Sequence, residues 1–272
     1  MPIDRAAFRN KIATQTIIAP GVYDGLSARI ADAVGFDALY LSGYGVSASQ
    51  LAKPDYGFLT LEDMQSRIAS LCDVTATPLI ADADTGFDDI AATVKTYEAA
   101  GAAGIQIEDQ QVPKICGHIP GREVVTREEA VAKIAQAADA RSDKDFLIIA
   151  RTDAREQNGL DEAINRARLF AEAGADILFV ESPESEAEFE KVGTALGDMP
   201  LLANMVEGGR SPLIDRQRLV DMGFSFIIYP VAAMAASAAA LETAYRQLTD
   251  NDMETARVSF DRLSQMVGFD KS

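Results

Sequence analysis

The stretch FLIIARTDAREQNGLDEAINRARLFAEAGADILFVES, Phe146 to Ser182, contains one full repeat of the pattern that decides the fold. FLIIARTD (146–153) is a short apolar run ending in charge. It is too short for a buried helix and suits a parallel strand covered on both faces. DEAINRARLFAEAGAD follows, with acidic residues in its first turn and a glycine near its end, as helix termini favour. ILFVES (177–182) then reads as the next strand. Similar runs recur along the chain: TIIAPGVYD (16–24), ALYLSG (38–43), PLIADAD (78–84), GIQIED (104–109), PLLANM (200–205) and FIIYP (226–230). Helical patterns lie between them. DGLSARIADAVG places Leu26, Ile30 and Val34 on one face, and DDIAATVKTYEAAG does so with Ile90, Val94 and Tyr97. Eight strand–helix alternations predict one (β/α)8 barrel over residues 1–272. An open doubly wound sheet would carry a glycine-rich phosphate turn after its first strand, and PGVYDGLS is not one. Residues 231 to 268 look helical throughout, more than a barrel helix needs, so the excess is expected to pack on a neighbouring subunit or, as the alternative, to form a plain C-terminal cap.

Composition narrows the function. The chain has 272 residues, enough to bury a sizeable core, with 48% hydrophobic and 25% charged residues, as in an ordinary globular protein. A net charge of -17 argues against a nucleic-acid surface. It also means that an anionic ligand needs local positive charge or a metal. The N-terminal residues show no signal-peptide pattern, and the apolar run from Ile227 to Leu241 is too short and too alanine-rich to span a bilayer. A cytoplasmic protein with no membrane partner is expected. Two cysteines make no disulfide framework and fit a reducing compartment.

In barrels of this kind chemistry is built at the C-terminal ends of the strands. Those ends carry Asp24; Tyr40, Ser42 and Gly43; Asp82 and Asp84; Glu108 and Asp109; Arg151 and Asp153; Glu181; Asn204; and Tyr229. So many carboxylates on one rim repel unless a cation or proton binds there. Helix capping or solvation accounts for Asp153 and Asp24 but poorly for Asp82 and Asp84, which stand two apart and so on one face of a strand. All-oxygen donors without histidine favour a hard cation, Mg2+ or Mn2+. With Arg151 nearby, such a site suits a 2-oxo or 2-hydroxy carboxylate.

The loop from Gln110 to about Arg127 is long for its place and has the length of a lid. It carries Lys114, Cys116, His118, the sole histidine, and Arg122. Positive neighbours would lower the pKa of the Cys116 thiol. Zinc is excluded because no further cysteine or histidine cluster completes four ligands. Cys72, in the helical pattern LEDMQSRIASLCDV, reads as a packing residue.

Taken together, KICGH (114–118), YLSGYG (40–45), PDYGFLT (54–60), DADTGF (82–87), IEDQ (107–110), IARTDA (149–154), VESP (180–183) and NMVEGGRSP (204–212) resemble the motifs of the isocitrate lyase/phosphoenolpyruvate mutase superfamily, in its 2-methylisocitrate and 2,3-dimethylmalate lyase branch. The resemblance covers nearly the whole chain. It implies a barrel whose eighth helix is exchanged between subunits, usually in a homotetramer. It further implies that Asp84 is a direct Mg2+ ligand while Asp55, Asp82 and Glu108 hold its waters. Ser42, Gly43 and Arg151 would bind the oxo-acid carboxylate, Tyr40 would line the pocket, and Glu181 and Asn204 would bind the second product. Cys116 would be the proton donor, with Lys114 and His118 stabilising the thiolate.

The implied reaction is retro-aldol cleavage of a 2-hydroxy di- or tricarboxylate to a 2-oxo acid such as pyruvate plus a short carboxylic acid. No residue is singled out as the base for the hydroxyl. Ile115 stands where relatives mostly carry Lys or Arg, and Ala235 about where methylisocitrate lyases carry an arginine. The first puts a charge contact in doubt; the second, with the NMVEGGRSP segment, favours an alkylmalate over a tricarboxylate, with 2-methylisocitrate kept as an alternative. The competing readings are an oxaloacetate decarboxylase or hydrolase, a carboxyphosphonoenolpyruvate-type mutase, and a barrel that binds without catalysis.

Overall fold

The computed structural model describes residues 3–250 and 257–269. Eight parallel strands close into a barrel in sequence order. They are β1 (Ile17–Val22), β2 (Leu39–Leu41), β3 (Leu79–Asp82), β4 (Gly104–Glu108), β5 (Leu147–Thr152), β6 (Ile177–Val180), β7 (Leu201–Asn204) and β8 (Phe224–Tyr229). β8 pairs back onto β1 through Ile17–Phe226 to Pro20–Tyr229. Each of the eight predicted runs is a strand, and the closure confirms the barrel.

The helices are α1 (Arg5–Ile12), α2 (Gly25–Val34), α3 (Gly43–Val46, continued by a π-helical turn Ser47–Leu51), α4 (Leu61–Val74), α5 (Ile90–Ala99), α6 (Arg127–Ala140), α7 (Arg155–Asn158), α8 (Leu160–Glu172), α9 (Glu186–Leu196), α10 (Arg216–Asp221), α11 (Ala232–Thr249) and α12 (Phe260–Met266). Most begin on a side-chain cap. Thr60 and Thr126 form capping boxes with Asp63 and Glu129, and Asp24 does so with Ser27, so the capping assignment of Asp24 holds. Among the described residues no helix is long and apolar enough to cross a membrane.

Strand side chains alternate, and the two parities make two cores. Ile17, Tyr40, Ile80, Ile149, Phe179 and Phe226 belong to one buried cluster with Phe8 and Ile12 of α1. The opposite parity joins the helices in a second buried cluster, which holds Ile105, Ile107, Ile148 and Leu178 together with Ile90, Val94 and Tyr97 of α5. The face predicted for α5 is therefore the buried one.

The face predicted for α2 is not. Leu26, Ile30 and Val34 are 40%, 41% and 67% exposed, whereas Ala28 and Ala31 are buried. The small alanines seat α2 on the barrel, and the larger apolar side chains turn outward. Ile30 and Val34 share a shallow cleft with Arg262 and Met266 of α12. The predicted helical tail divides into α11 and α12, and residues 251–256 lie outside the described residues. Neither helix buries a residue, and Leu241, Tyr245, Phe260 and Phe269 are exposed. Cys72 is half-buried against the core, in keeping with a packing role.

Candidate active site

The inward parity of the strands turns from apolar to polar at their C-terminal ends. Ile80 is followed two residues on by Asp82, Ile149 by Arg151, Phe179 by Glu181 and Leu202 by Asn204. Glu108 follows Gln106 in the same way, whereas Asp109 has the parity of the outward Ile107. Asp109 accepts from Thr152 Oγ1, the Asp153 amide and Arg166 NH1 at 2.7, 2.8 and 3.1 Å, and so ties strand ends together. Above the polar layer lies a cavity of about 570 Å³, lined by Tyr40, Ser42, Asp82, Arg151, Glu181 and Asn204 among others.

One side of this mouth is acidic. Asp55, Asp82, Asp84 and Glu108 are all buried. Asp84 is not on the strand. It follows β3 in a left-handed conformation, φ 50°, and this turn rather than strand alternation brings it beside Asp82. A Cβ on Gly43 would lie 2.9 Å from Asp82 Oδ2 and 3.4 Å from Asp84 Oδ1, so only glycine leaves room for the pair. The Gly43 amide donates to Asp82 Oδ2 at 3.2 Å. Gln106, the polar break in the run GIQIED, donates to Asp82 Oδ1 at 3.2 Å and accepts from the Tyr40 hydroxyl. The Tyr97 hydroxyl donates to the Asp82 carbonyl at 3.0 Å.

Burial, then mutual repulsion, raises Asp82, Asp84 and Glu108, against the pull of Lys114 on the two aspartates and chiefly of Arg151 on Glu108. Asp82 is raised, Asp84 is pushed up to about 7, and Glu108 is raised well above its ordinary value. The Lys114 ammonium reaches into the group, pairing with Asp55 and lying 2.6 Å from Asp84 Oδ1. Glu108 Oε1 is buried without a hydrogen-bond partner. Among the described residues no three His, Cys, Asp or Glu side chains form a ready-made metal cage. The donor chemistry nevertheless fits a hard divalent cation: the oxygens are anionic, the charge is in surplus and one acceptor is orphaned.

The facing side is built on Arg151, which is buried between Glu108, Asp153 and Glu181. Asp153 was expected to be a cap or a solvated residue. It is instead fully buried and grips Arg151 while also accepting from Arg122 NH1 at 2.8 Å. Its parity, that of Arg151, was the signal for this. Burial alone would raise Glu181, but the Arg151 guanidinium, with Arg122 behind it, outweighs burial and holds the carboxyl down at about 2. Asn204 Nδ2 donates to Glu181 Oε2 at 3.2 Å.

The loop from Gln110 lies over the cavity. Gln110 anchors its start by exchanging two 2.9 Å hydrogen bonds with the Ile115 backbone, and Arg122 anchors its end on Asp153 and Glu156. Cys116, Gly117 and His118 line the cavity. A Cβ on Gly117 would fall 2.3 Å from Arg151 NH2, so glycine alone lets the loop settle on that guanidinium. The electrostatics expected of the thiol are corrected here. Lys114 is spent on the acidic side rather than on sulfur. The His118 ring turns to Asn204 and Arg210, and only the His118 backbone acts on the thiol. Burial dominates and pushes the Cys116 thiol up to about 11. Burial likewise lowers His118 below its ordinary value, against Glu181.

Two kinds of comparison bear on this arrangement. The family model described as phosphoenolpyruvate phosphomutase matches residues 8–249. This chain belongs to the phosphoenolpyruvate mutase/isocitrate lyase superfamily. Among curated superfamily members, 2,3-dimethylmalate lyase of Eubacterium barkeri is 43% identical over 275 residues, covering 98% of this chain and 94% of that one. The 2-methylisocitrate lyase of Aeropyrum pernix is 44% identical over 237 residues, covering 86% and 76%. Among solved structures, oxaloacetate acetylhydrolase with 3,3-difluorooxalacetate superposes with TM-score 0.93 at 37% identity, covering 98% and 94%. Phosphonopyruvate hydrolase with oxalate and Mg2+ does so with TM-score 0.86 at 29% identity, covering 98% and 95%.

Within the superfamily frame, the structure gathers Tyr40, Ser42, Asp55, Asp82, Cys116, His118, Arg151, Glu181 and Asn204 around one cavity; Gly43, Lys114 and Glu108 contact its lining residues Asp82, Asp55 and Arg151, and Asp84 lines a second pocket with Lys114. Ser42 Oγ accepts from the Gly45 amide at 3.2 Å and caps α3. Asp153, Gln106, Tyr97, Glu156 and Arg210 were not read from the sequence as site residues. Ala235 does line the cavity, on the first turn of α11.

Proposed function

We propose that this chain is a divalent-metal-dependent carbon–carbon bond lyase that cleaves a 2-hydroxy dicarboxylate of the alkylmalate type to a 2-oxo acid and a short carboxylic acid. The observation that carries this is the position of Cys116, which lines the same cavity as Arg151, Asp55 and Asp82. The relatives named as 2,3-dimethylmalate and 2-methylisocitrate lyases support it.

Asp84, with Asp55, Asp82 and Glu108 around it, would hold Mg2+ or Mn2+. A bound cation would neutralise surplus carboxylate charge and polarise the oxygens of the oxo-acid half. The phosphonopyruvate hydrolase complex with oxalate and Mg2+ supports the choice of metal. Arg151, with Ser42 and Gly43, binds the oxo-acid carboxylate. Tyr40, whose hydroxyl burial keeps protonated, lines that half of the pocket. Asn204 and Glu181 orient the other half. The 2-hydroxyl gives up its proton to a base, its oxygen electrons form the new C=O as the C–C bond breaks, the C–C electron pair stays on the α-carbon of the departing acid, and Cys116 Sγ delivers a proton there. A high thiol pKa suits a donor that must hold its proton until the carbanion appears. The backbone of His118 then faces the thiolate. The closed loop keeps water from competing for the carbanion.

Ala235 and its neighbours Met234 and Ala238 give the cavity an uncharged wall on α11, which favours an alkyl substituent over a third carboxylate. The exposed apolar faces of α2, α11 and α12 support exchange of the C-terminal helices (about 231–268) within a homotetramer. A working thiol also supports a reducing, cytoplasmic setting.

A screen of malate derivatives with Mg2+, reading 2-oxo acid formation, tests the reading. Cleavage of 2,3-dimethylmalate or a close homologue supports it, and its absence across the series contradicts it. The oxaloacetate acetylhydrolase likeness favours a second reading, hydrolysis of oxaloacetate in the same cavity. Turnover of oxaloacetate without turnover of any alkylmalate would select it.

A further inference from the structure

We infer that the loop after β7 is the receptor for the closed lid, and that Arg210 on it is a positioning residue that fixes His118 as the neutral tautomer with its proton on Nε2. The inference rests on the lid reading above, not on which acid is cleaved.

The Arg210 amide points at His118 Nδ1 at 3.1 Å. A peptide N–H can only donate, so Nδ1 must be the bare, accepting nitrogen, and a neutral ring then carries its hydrogen on Nε2. Nε2 has two neighbours. Asn204 Nδ2 is 3.1 Å away and Glu181 Oε1 is 3.6 Å away. Asn204 does not overrule the peptide: its Nδ2 donates to Glu181 Oε2 at 3.2 Å, and its approach to Nε2 carries no direction of its own, since the role of that ring nitrogen depends on the tautomer. Its Oδ1 is buried without a partner as placed. Nε2–H therefore faces a carboxylate and the cavity, ready to donate to an anionic group of the departing acid.

The neighbouring contacts hold that peptide in place. A Cβ on Gly209 would lie 2.6 Å from His118 Nδ1, so glycine lets the ring approach the loop. The Arg210 side chain is clamped by Glu156 at 2.9 Å and by Glu184 at 2.8 Å. Glu156 also accepts from the lid itself, from the Gly121 amide at 3.1 Å and from Arg122 Nε at 2.7 Å. Glu156 is thus shared between the end of the lid and the loop that reads His118. The arrangement makes His118 a donor rather than the base for Cys116, since Nδ1 is occupied and Nε2 is already protonated.

His118 is the sole histidine, so its two ring nitrogens can be read without assignment ambiguity. The test is a long-range proton–nitrogen NMR spectrum of the 15N-labelled full chain with Mg2+ and oxalate. The expected result is one protonated nitrogen at Nε2 and one bare nitrogen at Nδ1. A proton on Nδ1, a doubly protonated ring or an averaged pair at neutral pH would overturn the inference. Arg210→Met keeps the amide but removes the clamp, and should shift the pair toward the averaged pattern. An unchanged pattern would overturn the positioning role of its side chain. Glu156→Gln is the second variant, with the same expected shift, if Arg210→Met does not fold. Failure to cleave any malate would sink the lyase reading and leave this readout untouched.

Discussion

Asp153 holds Arg151 at two points: Arg151 Nε donates to Asp153 Oδ2 and NH2 donates to Oδ1, each at 2.9 Å. A two-point grip on a planar guanidinium fixes its plane as well as its position. The remaining NH1 lies 3.3 Å from Glu108 Oε2 and 3.5 Å from Glu181 Oε2. Asp153→Asn keeps the shape but loses the charge and one acceptor. It should weaken oxalate binding about tenfold to a hundredfold, measured by calorimetry with Mg2+. Wild-type affinity would contradict this.

Lys114 lies where the cation's charge is needed, against Asp55 and Asp84. Lys114→Met leaves Asp82, Asp84 and Glu108 buried with less counter-charge. The metal-free variant should melt several degrees lower than wild type, by about 1–3 kcal/mol of lost pairing. Added Mg2+ should raise its melting temperature more than it raises that of wild type. An equal Mg2+ response in both proteins would contradict the electrostatic role.

The acids give a pH signature whose sign is fixed. Asp84 titrates at about 7 in the folded chain, against roughly 3.9 for an unfolded aspartate. Between those values the folded state holds more protons, so stability falls as pH rises through the window and levels off above it. Asp82 and Glu108 shift in the same direction. Glu181 and Glu156, held down at about 2, contribute stability that is already complete above the unfolded glutamate value. His118, lowered by burial, acts with the opposite sign near its ordinary value, but three raised acids outweigh one imidazole, so the metal-free melting temperature should drop between about pH 5 and pH 7, and saturating Mg2+ should flatten or reverse the trend. A rise with pH in the metal-free protein would contradict it.

Gly117 is a steric requirement of lid closure. A methyl group there would sit 2.3 Å from Arg151 NH2 and 2.9 Å from Glu181. Gly117→Ala should leave the melting temperature within a few degrees of wild type, because the lid lies over the barrel mouth. It should lower kcat/KM about a hundredfold or more. Activity within threefold of wild type would show that the lid can close by another path.

The architecture was legible because parallel strands announce themselves as short apolar runs, and their polar ends mark the mouth. Asp82, Glu108, Arg151, Glu181 and Asn204 were readable from that rule alone. Asp153 was misread because a carboxylate before a helix looks like a cap, although its shared parity with Arg151 pointed inward, and its buried pairings with Arg151 and Arg122 decide the matter. The partners of Lys114 were invisible because they lie on segments far away in sequence, at positions 55 and 84. The outward turn of Leu26 and Ile30 was missed for a related reason. Periodicity finds an apolar face but does not say whether the barrel or another helix covers it.

The central claim is that Cys116 protonates the departing acid. Cys116→Ser tests it most directly, with 2-oxo acid formation from 2,3-dimethylmalate measured alongside oxalate binding in Mg2+. Loss of cleavage by about 10²–10⁴-fold, with oxalate affinity nearly unchanged, is the expected result. Turnover that survives the substitution would contradict the role of the thiol.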